Sequence, residues 1–285
     1  VTFAYLNAIP GRDAIKARLT KLWNFERYSV PFKEGGRYFY SRNDGLQNQS
    51  VLYTMTSLDA VTTVLLDPNK LSTDGTAALC GYAISDDGRL MAYGISRAGS
   101  DWQEWKVRDV ATTTDMADEI KWVKFSGASW TKDGKGFFYS RYDEPAKTDE
   151  LKGVNYFHKL YYHQLGTAQT NDVLIYHRTD QKEWGFGGSV TDDGRFLIIT
   201  VWKGSDTKNR IFYKRLQTSD APVVELLNDF DAAYDFIDNV GDAFYFRTDL
   251  NAPRGRIVAI DITKPARGNW TEIIPQSGDR LQVAN

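Results

Sequence analysis

The phrase SDDGRL at 85–90, TKDGKG at 131–136 and TDDGRF at 191–196 recurs three times, each time leading into an aromatic or β-branched run. An Asp-Gly pair between apolar runs is a strong hairpin signal, because glycine tolerates the positive φ of a tight turn. Weaker copies of the phrase surround Gly36 in FKEGGRYFYSR and Gly241 in FIDNVGDAFYFRTD. The five anchors, Gly36, Gly88, Gly134, Gly194 and Gly241, are spaced 52, 46, 60 and 47 residues apart.

Each anchor is followed by two further strand-like runs. The first set is SVLYTMTSL, EWKVRDVAT, KLYYHQLGT, RIFYKRLQT and RIVAIDIT, and the second is TTVLLDP, EIKWVKF, DVLIYHR, VVELLND and TEIIPQS. With the strand before each turn, every unit holds four strands in about 50 residues, the signature of β-propeller blades. A four-stranded sheet cannot bury both faces alone, so stacked blades build the core. The expected fold is therefore all-β: a propeller of about five four-stranded blades over 29–285. Unrelated Asp-Gly turns in a β-sandwich are the competing arrangement, and five correlated strand triplets weigh against it. Residues 1–28 read differently. Ile15, Leu19 and Leu22 fall at helical spacing, set off by Pro10 and Gly11, and predict a short helical lead-in. The polar insertion between Arg141 and Tyr156 accounts for the 60-residue spacing and is expected to project from one face.

The aromatic content of 14% suits strands. The formal net charge of −2 carries no basic stripe, which argues against nucleic acid as a partner. No apolar run approaches the roughly 18 residues of a membrane span. The single cysteine, Cys80, excludes an internal disulfide framework and reads as a small buried apolar residue. The sequence leaves the compartment open between cytoplasm and periplasm. The chain begins at Val1 and is read as a piece of a longer polypeptide.

Catalytic patterns are not found. GGSVT at 187–191 is the nearest string to a nucleophile elbow, but it lacks the second glycine that lets the backbone turn sharply under Ser189. His158 and His163 lie five apart along one strand and point to opposite faces, and His177 lies in the next run, so structural or surface roles are expected. No metal or organic cofactor is implied.

NDGLQNQSVLY at 43–53, LDPNKLSTDGTAAL at 66–79, GSDW at 99–102, KFSGASWTKDGKGFFYSRY at 124–142 and KLYYHQLGT at 159–167 closely resemble the propeller of prolyl oligopeptidases. These are post-proline serine endopeptidases, and the resemblance runs along essentially the whole chain. It implies a seven-bladed propeller that caps an α/β-hydrolase domain carrying Ser, Asp and His, and that admits short proline-containing peptides while excluding folded proteins. That catalytic domain of the same polypeptide is the implied partner, and it follows the propeller in the chain. Only about five blades are present before the sequence stops at LQVAN.

The resemblance also implies substrate-binding residues. Phe125 corresponds to an aromatic that packs against the third substrate residue from the cut, or else closes the core after WVKF. Phe186, Trp202 and Ser205, with Gly185, fall where another part of the cavity wall lies, though the residue types depart from the family pattern. Asp101 of GSDW matches an acidic position near the cavity, or is a plain turn residue. Two other functions stay open at this point. A freestanding propeller scaffold for protein interaction needs no hydrolase, and a five-bladed glycosidase needs two inward carboxylates, whereas the acids here sit mostly in turns.

Overall fold

The five expected units are antiparallel blades in a computed structural model, which describes residues 1–146, 153–218 and 220–282. Two helices come first, α1 (Thr2–Asn7) and α2 (Arg12–Trp23), with Gly11 in the left-handed conformation between them. The first blade holds β1 (Arg27–Tyr28), β2 (Phe32–Glu34), β3 (Arg37–Asn43), β4 (Val51–Met55) and β5 (Thr63–Leu66). The second holds β6 (Ala77–Ile84), β7 (Leu90–Arg97), β8 (Gln103–Asp109) and β9 (Asp115–Val123). The third holds β10 (Ser129–Trp130), β11 (Gly136–Arg141), β12 (Lys159–Gln164) and β13 (Val173–Tyr176). The fourth holds β14 (Trp184–Val190), β15 (Phe196–Lys203), β16 (Arg210–Arg215) and β17 (Val223–Leu227), and the fifth β18 (Tyr234–Val240), β19 (Ala243–Thr248), β20 (Arg256–Asp261) and β21 (Thr271–Ile274). In the second to fifth blades strands follow one another as neighbours, in the first β1 and β2 both pair with β3, and a single pairing, Arg141 with Val123, joins the second blade to the third.

The repeated phrase is the turn between the first and second strands of its blade. All five anchor glycines have positive φ, from 60° to 79°. In the three full copies the glycine N–H donates to the carbonyl of Ser85, Thr131 or Thr191 at 2.7–2.9 Å. Asp87, Asp133 and Asp193 accept from those hydroxyls at 2.7–2.8 Å and from the amide two residues on at 3.0–3.1 Å. Although partial burial works the other way, these bonds hold the three carboxyl pKa values below their ordinary range. Successive turns also touch. Lys132 Nζ reaches Asp86 at 2.6 Å, Asn239 Nδ2 donates to Asp193 at 2.8 Å, and Arg195 pairs with Asp242 at 3.1 Å. The turns thus link blade to blade along one end of the propeller.

Between the ends, apolar side chains of each blade pack on the next. Phe39, Leu52 and Leu66 meet Met91, Tyr93 and Ile95, and Trp105 and Ile120 meet Trp130, Phe137 and Tyr139. Phe138 and Leu160 meet Trp184, Phe186 and Phe212, and Phe196 and Tyr213 meet Tyr234, Phe244 and Phe246. The first strands lie side by side, with β10 touching both β6 and β14.

Two expectations change. The lead-in holds two helices, and Ile15, Leu19 and Leu22 are 51–60% exposed along α2, so its apolar face is uncovered. Cys80 is exposed and not buried, because the register of β6 against β7 slips between Leu79 and Gly81 and leaves Cys80 as the extra residue of a bulge. The middle of the Arg141–Tyr156 insertion, 147–152, lies outside the described residues.

Candidate functional site

At the end opposite the Asp-Gly turns, three blades converge on one aromatic cluster. Antiparallel succession puts the end of β7, the start of β8, the end of β9, the end of β11, the start of β12, the start of β14 and the end of β15 there. These chain ends deliver Trp102, Trp122, Tyr142, His158, Phe186 and Trp202. Trp102 meets Trp122 edge-on at 5.7 Å and Tyr142 at 6.2 Å. Tyr142 lies 4.5 Å from the His158 ring, which stacks parallel to Phe186 at 6.4 Å and meets Trp202 at 5.7 Å. Trp202 lies across Gly185, its partner on β14, where a Cβ would come within 2.2 Å of the indole.

Phe125 stands at the edge of this cluster, in the connector between the second and third blades. Its ring is 57% exposed and its φ is +55°. Left-handed backbone is unfavourable for a residue with a bulky side chain, and such strain concentrates at functional sites. Trp122, three residues earlier, is left-handed as well, at +62°. Lys124 fixes the stretch from its side-chain end. Its Nζ lies 4.9 Å from the Trp102 ring, 5.5 Å from the Phe125 ring and 3.7 Å from the Asp101 carboxylate. The Lys124 side chain is 13% exposed while that of Asp101 is 70% exposed, so the carboxylate is the solvent-facing half of the pair. A cleft of about 460 Å³ opens beside the cluster, lined by Trp102, Trp122, Arg97, Glu104 and Lys121 among others.

His158 is fully buried. Burial pushes its pKa down to about 4, against the pull of its hydrogen bond to the Lys124 carbonyl, so the ring is neutral near pH 7. Burial likewise raises the Tyr142 hydroxyl. His163, on the other face of β12, belongs to a separate network with Asp118 and Asp172. Among the described residues no group of three or more His, Cys, Asp or Glu side chains is placed to hold a metal ion.

Of the residues expected from the sequence, Phe125, Asp101 and Trp202 come together here. Phe186 joins them only from below the surface: its ring is buried in the core between the third and fourth blades, where it stacks on the His158 ring, and its main-chain amide donates to His158 Nδ1. Ser205 sits in the exposed turn after β15, outside the ring contacts just described. Ser189 lies in mid-strand, paired with Ile198, with no elbow beneath it. Sequence reasoning passed over Trp102, Trp122, Lys124 and Tyr142, and gave His158 only a structural or surface role. Trp102 stood in the quoted GSDW string, and Lys124 directly precedes Phe125. The arrangement sets an exposed ring, backed by a cation, beside a solvent-facing carboxylate.

The family model described as prolyl oligopeptidase, N-terminal beta-propeller domain, matches residues 1–285. The chain belongs to the prolyl oligopeptidase family. It is 38% identical over 279 residues to the prolyl endopeptidase of Elizabethkingia meningoseptica, covering 98% of this chain and 39% of that protein. It is 34% identical over 304 residues to prolyl oligopeptidase A of Amanita bisporigera, covering 96% of this chain and 40% of that protein. Among solved structures, one from an analysis of two prolyl endopeptidases superimposes with a TM-score of 0.81 at 37% identity, covering 99% of this chain and 40% of that one. Prolyl oligopeptidase B from Galerina marginata, bound to a 35mer hydrolysis and macrocyclization substrate, superimposes with a TM-score of 0.88 at 29% identity, covering 98% and 42%. The chain thus spans about two fifths of the length of these prolyl oligopeptidases.

Proposed function

We propose that this chain is the gating domain of a serine endopeptidase that cleaves short peptides after proline. The catalytic Ser, His and Asp lie in an α/β-hydrolase domain of the same polypeptide, outside this chain. There the serine attacks the carbonyl after proline, the histidine moves the proton, the aspartate orients the histidine, and backbone amides hold the oxyanion. The propeller contributes admission and grip. The observation that carries this reading is Phe125, an exposed ring in a strained conformation, braced by Lys124 and set beside Asp101. Such a ring receives an apolar side chain of the peptide upstream of proline, and Trp202 continues the surface toward the fourth blade. Asp101 sets the charge next to it. The uncovered apolar face of α2 is assigned to packing against the hydrolase domain.

The test is cleavage of a Gly-Pro chromogenic peptide by the full natural polypeptide, with this 285-residue chain as control. Cleavage by the full polypeptide and not by the chain alone is expected. An inert full polypeptide would overturn the reading and leave the propeller as a binding scaffold.

A further inference from the structure

His158 differs from His163 in what it binds. His163 bonds two carboxylates, whereas both ring nitrogens of His158 bond main chain. The Phe186 N–H donates to Nδ1 at 3.0 Å, so Nδ1 is unprotonated and the ring proton resides on Nε2. Nε2 then donates to the Lys124 carbonyl at 3.2 Å. One imidazole thereby joins the first strand of the fourth blade to the connector between the second and third.

The second of these bonds acts directly on Phe125. The Lys124 carbonyl and the Phe125 nitrogen share one planar peptide unit. The φ of Phe125 is rotation about the bond that leaves this plane, and at +55° it lies where a residue with a Cβ does not rest unaided. Anchoring the plane fixes the reference from which the Phe125 ring is aimed. The imidazole cannot drift, because Tyr142, Phe186 and Trp202 enclose it.

We propose that His158 is a positioning residue for peptide binding: its imidazole locks the Lys124–Phe125 peptide plane to the Phe186 amide and so sets the direction in which the Phe125 ring meets the substrate. This rests on the reading of Phe125 as a substrate contact. It makes His158 a determinant of selectivity for the third residue upstream of the cut, although it touches no substrate itself.

The experiment uses the full polypeptide and two peptides, one reaching the third residue upstream of the cut with an apolar side chain and one ending at the second. The quantity read is the ratio of kcat/KM for the longer peptide to that for the shorter. An aromatic contact of ordinary strength corresponds to a ratio change of about 2- to 10-fold. Phe125→Ala is expected to lower the ratio within that range. His158→Leu, which removes both bonds, is expected to lower it similarly through KM of the longer peptide, with kcat for the shorter one retained. His158→Gln, which keeps one donor and one acceptor, is expected to recover most of the ratio. Should His158→Leu fail to fold, His158→Asn serves instead, since its shorter side chain reaches one main-chain partner at most, and a lowered ratio is again expected.

The outcomes separate the two ideas. A ratio lowered by Phe125→Ala but untouched by the His158 variants overturns the positioning role and leaves the contact standing. Equal losses on both peptides make His158 merely structural and also overturn it. A ratio untouched by Phe125→Ala removes the contact itself, and the positioning role falls with it.

Discussion

Replacing His163 with leucine is expected to cost more than any surface change in this chain. His163 is fully buried, with Asp172 at 2.7 Å on Nδ1 and Asp118 at 3.0 Å on Nε2. Burial opposes its charge, but the hydrogen bonds and charges of the two aspartates outweigh burial and raise its pKa. The carboxylates have further partners. Tyr139 donates to Asp172 at 2.6 Å and the Gly166 amide to Asp118 at 2.6 Å, while Asp118 Oδ2 is buried without one. Leucine fills much of the volume yet leaves two carboxylates facing an apolar group. Removing one partner of a buried ion pair costs about 3–5 kcal/mol. For a chain of this size that is a fall in Tm of roughly 6–20 °C. The assay is a thermal melt of both proteins, followed by circular dichroism at pH 6. The pH dependence carries a sign. Because the folded pKa of His163 is raised, its stabilisation is fully present below the ordinary value of 6.5 and is lost as pH rises through the folded value. The wild type should therefore lose stability on the alkaline side in a step that the variant lacks. A fall in Tm of under about 2 °C, the scale of an exposed ion pair, would refute the reasoning.

Other regions give further expectations. His158 has the opposite sign, since its folded pKa is lowered to about 4: its contribution is present above 6.5 and is lost as pH falls toward 4, a swing of about 3 kcal/mol. Denaturant melts of wild type and His158→Gln at pH 7 and pH 4.5 should show the larger acid loss in the wild type. Gly185→Ala places a Cβ within 2.2 Å of the Trp202 ring, so a cost of about 1–3 kcal/mol and a shifted tryptophan emission are expected. Asp193→Ala removes acceptors used by Thr191, Arg195 and Asn239 and should cost about 1–2 kcal/mol, measured against Asp192→Ala, which should stay within about 0.5 kcal/mol.

The blades were legible in the sequence because their defining feature is local. An Asp-Gly turn needs only its own five residues, and Ser85, Asp87, Gly88 and Arg89 satisfy one another wherever the blade ends up. The gathering of Phe125, Asp101 and Trp202 came from resemblance, since no spacing in the sequence relates residues on the second blade, the connector after it and the fourth blade. Phe186 shows the limit of that route. The strand position was carried over, but which face of β14 turns inward was decided by packing against Phe138 and Leu160. Cys80 was misread for a local reason, a one-residue register slip that period-two alternation cannot show. His158 was read as structural or surface, and its partners lie 28 and 34 residues away as main-chain groups with no side-chain signature.

The central claim is that the propeller selects what reaches a post-proline active site, and substrate size tests it most directly. The measurement is kcat/KM of the full polypeptide for a short proline-containing peptide and for the same sequence displayed on the surface of a folded protein. Rapid cleavage of the free peptide with no cleavage of the displayed one is expected. Comparable rates on both would contradict a gating role for these blades.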